Sequence, residues 1–424
     1  MKITNSLRWA LVAFGLLGSL ATYAQEPALT LEHCWEMARK NYPLIKQKEL
    51  LTRSLEYSIS NAQSGNLPQV SIHGQVSYQS EVTRFPGPGV LVEPLSKDQY
   101  KIYAELNQNI YDGGVIKNQN AVQSAGTLVE QQKLEVELYK IRERINQIYF
   151  GVLLMDAQRS QLNLLRSDIT SSLAKTESAV RNGTAFQTNV DMLQAELLKT
   201  DQRIIEINAG RKAYLAMLGY FINQPLGAQT VLVAPVAMED AKVSHIKRPE
   251  LKLYQFQSDL LGAQYKSSTK RNVPKLGLFV QGGYGRPGLN MLKNEFETYY
   301  LGGIRLSWSL GNFYNSKRDR ELLDVNTQMV NTQKETFLFN TNLTLIQLDD
   351  EVQKLRELIR VDDEIIALRA RIKNTAKAQY EHGVISTNDL LRELNAEENA
   401  RQNLAVHQIQ FMLAKYNYQI TSGN

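Results

Sequence analysis

Ser267 and Lys270 stand three residues apart in SSTK, a spacing by which a lysine can activate a serine nucleophile. No base, orienting group and oxyanion donor can be assembled around them, and the pair closes a polar helix end before Pro274. The five histidines, His33, His73, His245, His382 and His407, have no metal-ligand spacing. GGYG at Gly282 to Gly285 ends a strand and lacks the helix that a phosphate cradle requires. The residues thus point to no enzyme, no metal and no cofactor. What remains is hydroxyl with acid: Ser386 and Asp389 in STND, and Thr188 and Asp191 in TNVD, fit a capping box in which each side chain satisfies the other's backbone amide. Both stretches follow a glycine, Gly183 in the first and Gly383 in the second.

The elements that position these breaks occur twice. Pro43 and Pro68 recur as Pro249 and Pro274, and Leu106 and Ile110 as Leu306 and Leu310. Each half reads as a short helix, two alternating segments around a loop, a very long helix, a glycine break and a return helix. Gln69 to Gln79 sets Val70, Ile72, Val76 and Tyr78 against polar neighbours. Tyr100 to Tyr111 sets Ile102, Ala104, Leu106 and Ile110 against Lys101, Tyr103, Glu105 and Asn107. The second copy supplies Leu276, Leu278, Val280 and Tyr284, then Ile304, Leu306, Trp308 and Leu310 opposite Arg305, Ser307 and Ser309. The expected strands are 67–80, 100–111, 275–285 and 299–310.

A soluble sandwich also alternates. Here, however, Lys2, Arg8, the apolar run Leu11 to Ala21 and TYA before Gln25 read as a secretory signal over residues 1–24. No later segment has the roughly 20 apolar residues of a spanning helix, so membrane insertion would be by strands. Four strands cannot close a barrel, and open edges are not tolerated in lipid; a dimer, trimer or tetramer would supply 8, 12 or 16 strands. The single cysteine, Cys34, reads as a buried thiol on a helix. Net charge is +5, or +3 without Lys2 and Arg8, which is too small for nucleic-acid binding by a chain of this length.

The long helices carry a coiled-coil seam. Leu134, Leu138, Ile141, Ile145, Ile148, Val152 and Met155 alternate steps of four and three, continuing through Leu162, Leu165, Ile169, Leu173 and Val180. Leu338, Leu345, Leu348, Val352, Leu355, Ile359 and Ile366 repeat it. Between Val115 and Asn182 there is no proline, which allows a helix of about 100 Å at 1.5 Å per residue. The glycines permit the positive φ that ends one helix before the next begins, with tips near 183–188 and 383–387.

With these residues in place, the sequence resembles the outer membrane efflux protein family, the TolC-like channels. The resemblance is carried by LTLEHCWEMARKNYP (Leu29 to Pro43), LNQNIYDGGVIKNQNAVQSA (Leu106 to Ala125), the stretch from Lys247 to Gly285, and QYEHGVISTNDLLRELNAE (Gln379 to Glu397). It implies a mixed α and β membrane protein. Four transmembrane strands per chain would contribute to a shared trimeric 12-stranded β-barrel, continued by long antiparallel coiled-coil helices forming a periplasmic helical barrel. It implies a signal peptide at 1–24, efflux repeats at 25–230 and 245–424, and a linker at 231–244. The partners implied are two further copies, outer membrane lipid, a periplasmic adaptor protein and an inner-membrane transporter. Tyr380, Asp389 and Asn189 match gate positions, and Gly183, Thr184, Gly383 and Val384 match the tips that receive the adaptor. Asn109 and the Gly311-Asn312 pair depart from the family at the strand-to-helix corners.

Two functions fit. One is an exit channel conducting what a transporter and adaptor deliver; the other is a trimeric coiled-coil surface adhesin with a small barrel. An adhesin needs one strand block and one stalk, whereas two blocks each feeding a returning hairpin favour the channel. An autonomous porin has no use for such helices. The turn-rich segments Phe85 to Asp98 and Arg286 to Phe296 are expected outside the cell.

Overall fold

The computed structural model describes residues 29–83, 94–235 and 245–423. The expected signal segment, most of the Phe85 to Asp98 loop and residues 236–244 of the expected linker lie outside the described residues. The chain forms two compact units. Among the described residues, one comprises 29–41, 141–235 and 348–418; the other comprises 42–83, 94–140, 245–347 and 419–423.

The second unit holds the sheet, four antiparallel strands in the order β1 (Gln69–Tyr78), β2 (Asp98–Tyr111), β3 (Lys275–Arg286) and β4 (Glu297–Ser307). Glu105 faces Gln281, and Gln281 faces Leu301, so the pleat gathers one side chain set from all strands onto each face. One face is apolar and open, with Ile72 76% and Ile304 68% exposed. The other carries Ser71, His73, Lys101, Glu105, Gln281 and Arg305. Strands β1 and β4 each have one neighbour, leaving two open edges.

β4 stops at Ser307, so Trp308 and Leu310 are not on a strand as expected. A short 3-10 turn, Leu310–Asn312, follows, and the Trp308 indole and Asn312 amide donate to the carbonyls of Asn272 and Arg271 at 2.9 and 3.1 Å. Those bonds anchor the chain where it leaves the ladder and enters a helix. The first copy turns differently. Asp112 accepts from the amides of Gly114 and Ile116, both at 2.7 Å, while Gly113 adopts φ +73° where a Cβ would lie 2.9 Å from Val273. At Asn109 the β2–β3 register shifts, and its side-chain amide donates to Gly65 O. Thus both departures from the family pattern fall where the two corners differ.

The α-helices among the described residues are α1 (Leu31–Asn41), α2 (Gln47–Gln63), α3 (Val115–Arg181), α4 (Gln187–Ile222), α5 (Pro249–Lys270), α6 (Phe313–Glu381) and α7 (Thr387–Ser422). The seam of α3 is buried from Leu134 to Val152 and again at Leu162, Leu165 and Ile169, as its heptad spacing requires. In the first unit, Tyr149 places its hydroxyl 2.7 Å from the carbonyls of both Leu29 and Val233. Cys34 is fully buried there, and burial, with the Glu32 carboxylate adding to it, pushes the thiol up to about 12. No described helix is long and apolar enough to cross a membrane.

Candidate functional site at the helical tips

Both glycine breaks lie in the first unit and close in the same way. Gly183 has φ 74° and Gly383 φ 72°, and neither would clash with an added Cβ, so the left-handed backbone alone demands glycine. The amides of Gly183 and Thr184 donate to Val180 and Ala179 at 3.0 and 2.9 Å. Those of Gly383 and Val384 donate to Tyr380 and Gln379 at 3.0 and 2.8 Å. This paired bonding satisfies the last carbonyls of α3 and α6. Val384 projects into solvent.

The restarts differ. At the second tip the Ser386 hydroxyl accepts from the Asp389 amide at 3.2 Å, while the Asp389 carboxylate accepts from the Ser386 hydroxyl and amide at 2.7 and 3.3 Å. The capping box expected there is present. At the first tip it is not: α4 begins at Gln187, its cap residue is Phe186, and no side chain caps it. Thr188 therefore sits inside the helix, and Asp191 accepts from the Gln187 side chain at 3.0 Å instead. The physical reason is that Phe186 occupies the position of Ser386 and has no hydroxyl.

The expected gate residues separate. The Tyr380 hydroxyl lies 2.8 Å from Thr176 Oγ1 on α3 and 3.2 Å from Thr387 Oγ1 on α7, so it joins three helices. Asp389 is turned elsewhere, toward Ser386 and the Arg392 guanidinium at 3.5 Å. The Ser386 hydroxyl and amide, and then Arg392, hold its carboxyl below the usual carboxylate range. It lines an open groove of about 670 Å³ with Leu368, Ile372, Ile385 and Arg371. Asn189 contributes its backbone amide to the first turn of α4, donating to Phe186 O at 3.0 Å. Among the described residues, no hydrogen bond joins its side chain to Tyr380 or Asp389.

Several tip contacts have no counterpart in the sequence reading. Lys175 on α3 pairs with Glu381 on α6 at 2.5 Å. Asp168 on α3 receives Lys377 and Lys373 from α6 at 2.5 and 3.1 Å, and Lys373 also reaches Glu397 on α7 at 3.3 Å. Burial pushes the Asp168 carboxyl up, but the two lysines outweigh it and hold the group below its ordinary value. Beneath them Leu162, Leu165, Ile169, Leu193, Leu390, Leu391 and Leu394 form one buried cluster, against which Tyr380 and Ile385 pack. The signal in the sequence is Thr176, one heptad beyond Ile169, which with Ser172 brings hydroxyls into the buried stripe of α3. The layer joins α3, α6 and α7 through hydroxyl contacts and ion pairs that satisfy one another. Among the described residues, no cluster of three or more acidic, histidine or cysteine side chains could hold a metal.

Residues 35–218 match the family described as outer membrane efflux protein. Among solved structures, the outer membrane protein VceC of Vibrio cholerae aligns with TM-score 0.67 at 13% identity, over 93% of this chain and 96% of that one. The Campylobacter jejuni CmeC outer membrane channel aligns with TM-score 0.65 at 14% identity, over 93% and 85%. The open-state Neisseria gonorrhoeae MtrE outer membrane channel aligns with TM-score 0.65 at 13% identity, over 93% and 89%. No curated protein matches the sequence. The resemblance read from the residues is borne out, in the pattern over residues 35–218 and in the fold.

Proposed function

We infer, from a chain that carries the outer membrane efflux protein pattern over residues 35–218 and the fold of outer-membrane channels along 93% of its length, that it works as the exit duct of a tripartite efflux or secretion assembly. Three copies of the four-stranded sheet would close a barrel in the outer membrane, apolar face to lipid and polar face to water. The efflux repeats at 25–230 and 245–424 would each send a helical hairpin into the periplasm. The tips at Gly183, Thr184, Gly383 and Val384 would meet an adaptor that couples the duct to an inner-membrane transporter. Tyr380, with Asp389 and Asn189, would belong to the closing layer.

The observation that carries this reading is the sheet, with two unpaired edges and an exposed apolar face opposite a polar one. An open edge is a liability in water and prohibitive in lipid, so further copies must cover it. A second feature supports the same assembly. On α6, Leu358, Val361, Ile365, Leu368 and Ile372 stay exposed at alternating steps of three and four, a seam separate from the buried one. Native mass spectrometry in detergent tests it. Three copies are expected, and a monodisperse monomer retaining its strands would refute the assembly.

A further inference from the structure

The polar face of the sheet is unevenly charged. Its acids are Glu105 and Glu297, and both are engaged: Glu297 accepts from Lys293 at 2.9 Å. Glu105 accepts from Asn107 at 2.9 Å and from Gln281 at 2.8 Å, and pairs with Arg305 at 3.2 Å. The pair is lopsided, because the Glu105 side chain is 10% exposed and that of Arg305 is 51% exposed. Arg305 reaches across β3 with its guanidinium 4.5 Å from the centre of the Phe279 ring, which fixes the cation in place. Gly303 makes room for that ring, since a Cβ there would lie 3.1 Å from it.

The register adds a second cation. Gly277 faces Arg305 and Lys275 faces Ser307, so Lys275 and Arg305 are diagonal neighbours on one face, at the ends of β3 and β4 that join helices. Among the described residues, no acid pairs with Lys275.

We propose that Arg305 and Lys275 form a specificity-determining cationic ring at the helix-side end of the barrel, which favours negatively charged solutes on their way out. This rests on the channel reading, with the polar face toward the lumen. Three copies repeat the two cations around the axis, while the Glu105 carboxylates lie sunk in the wall behind their amide donors. A solute passing through meets the guanidinium and ammonium groups first, and rings of fixed charge of this kind set selectivity.

The test is reversal potential in planar bilayers under a potassium chloride gradient near 10 mM, where the screening length is about 30 Å. Lys275→Gln leaves the Glu105 network intact. The double variant Glu105→Gln with Arg305→Gln removes the ion pair without stranding a buried carboxylate. Each is expected to lower the chloride-to-potassium permeability ratio about threefold relative to the parent, because a ring of fixed charge sets which ion enters, with Arg305→Lys close to the parent. Currents with an unchanged ratio in both variants would overturn this inference and leave the channel reading standing. Inserted trimers that pass no current even when Tyr380→Phe removes the contacts of the closing layer would overturn both.

Discussion

The hydroxyl of Tyr380 lies 2.8 Å from that of Thr176, a residue 204 positions earlier, and ties α6 to α3 beside the second helical tip. A hydrogen bond of this kind has a net worth of about 1 kcal/mol, large enough to bias a closure and small enough to be undone by a partner. Tyr380→Phe removes both its bonds, whereas Thr176→Val leaves the contact to Thr387. The tyrosine variant is therefore expected to speed amide exchange over residues 379–392 roughly thirtyfold, and the threonine variant roughly fivefold. Equal protection in parent and variants would make the hydroxyl contact incidental.

The unequal caps predict opposite responses to hydroxyl substitution. Ser386→Ala should cost about 1 kcal/mol of local stability by orphaning the Asp389 amide. Phe186→Ser should stabilise the first tip by up to about 1 kcal/mol, because the 79% exposed phenylalanine contributes little burial. Proteolysis rates at the two tips measure both changes. A first tip made more labile by Phe186→Ser would show that the ring has another role.

Asp389 separates gating from capping. Asp389→Asn keeps much of the cap geometry and deletes the charge. If three carboxylates come together near an axis, cation selectivity or conductance should change while the melting temperature stays nearly constant. Its position beside Ser386 and Arg392 is sufficient for capping alone. Unaltered currents in a correctly assembled protein would assign it to the helix turn.

Acid should loosen the same region through Asp168. Its carboxyl is held below its ordinary value in the folded chain, so its contribution is present above the unfolded value near 4 and is lost as pH falls through the lower folded one. Glu381, held down chiefly by its hydrogen bond from Lys175, follows the same sign. Asp168→Asn is expected to lower the melting temperature at pH 7, and the gap from the parent should close as pH approaches 3. A gap independent of pH would remove these ion pairs from the account.

The sheet and the buried seam were legible because each rests on a short sequence period, two along β2 and three-four along α3. The caps were legible only in part. Thr188 and Asp191 have the right spacing, but the cap residue is fixed by the glycine turn, three positions after Gly183 and Gly383, and that places Phe186 and Ser386 there. Spacing within a motif was outweighed by the length of the turn before it. Contacts such as Lys175 with Glu381 were beyond reach, since a charged residue on an exposed helix face gives no sign of which distant helix will meet it. The end of β4 is hidden in the sequence because alternation continues through Trp308 and Leu310 while their backbone has already left the ladder.

The two copies of the repeat share a single sheet, since β2 of the first pairs with β3 of the second from Tyr100 with Arg286 to Tyr111 with Leu276. The covalent link is therefore not what joins them. Breaking the chain between residues 236 and 244 would yield two fragments, each ending its sheet at a bare internal edge that the other fragment matches in register. Co-expressed, they should find one another and rebuild the four-stranded sheet. Expressed singly, each would present that edge to any strand in reach, and should aggregate where the pair does not.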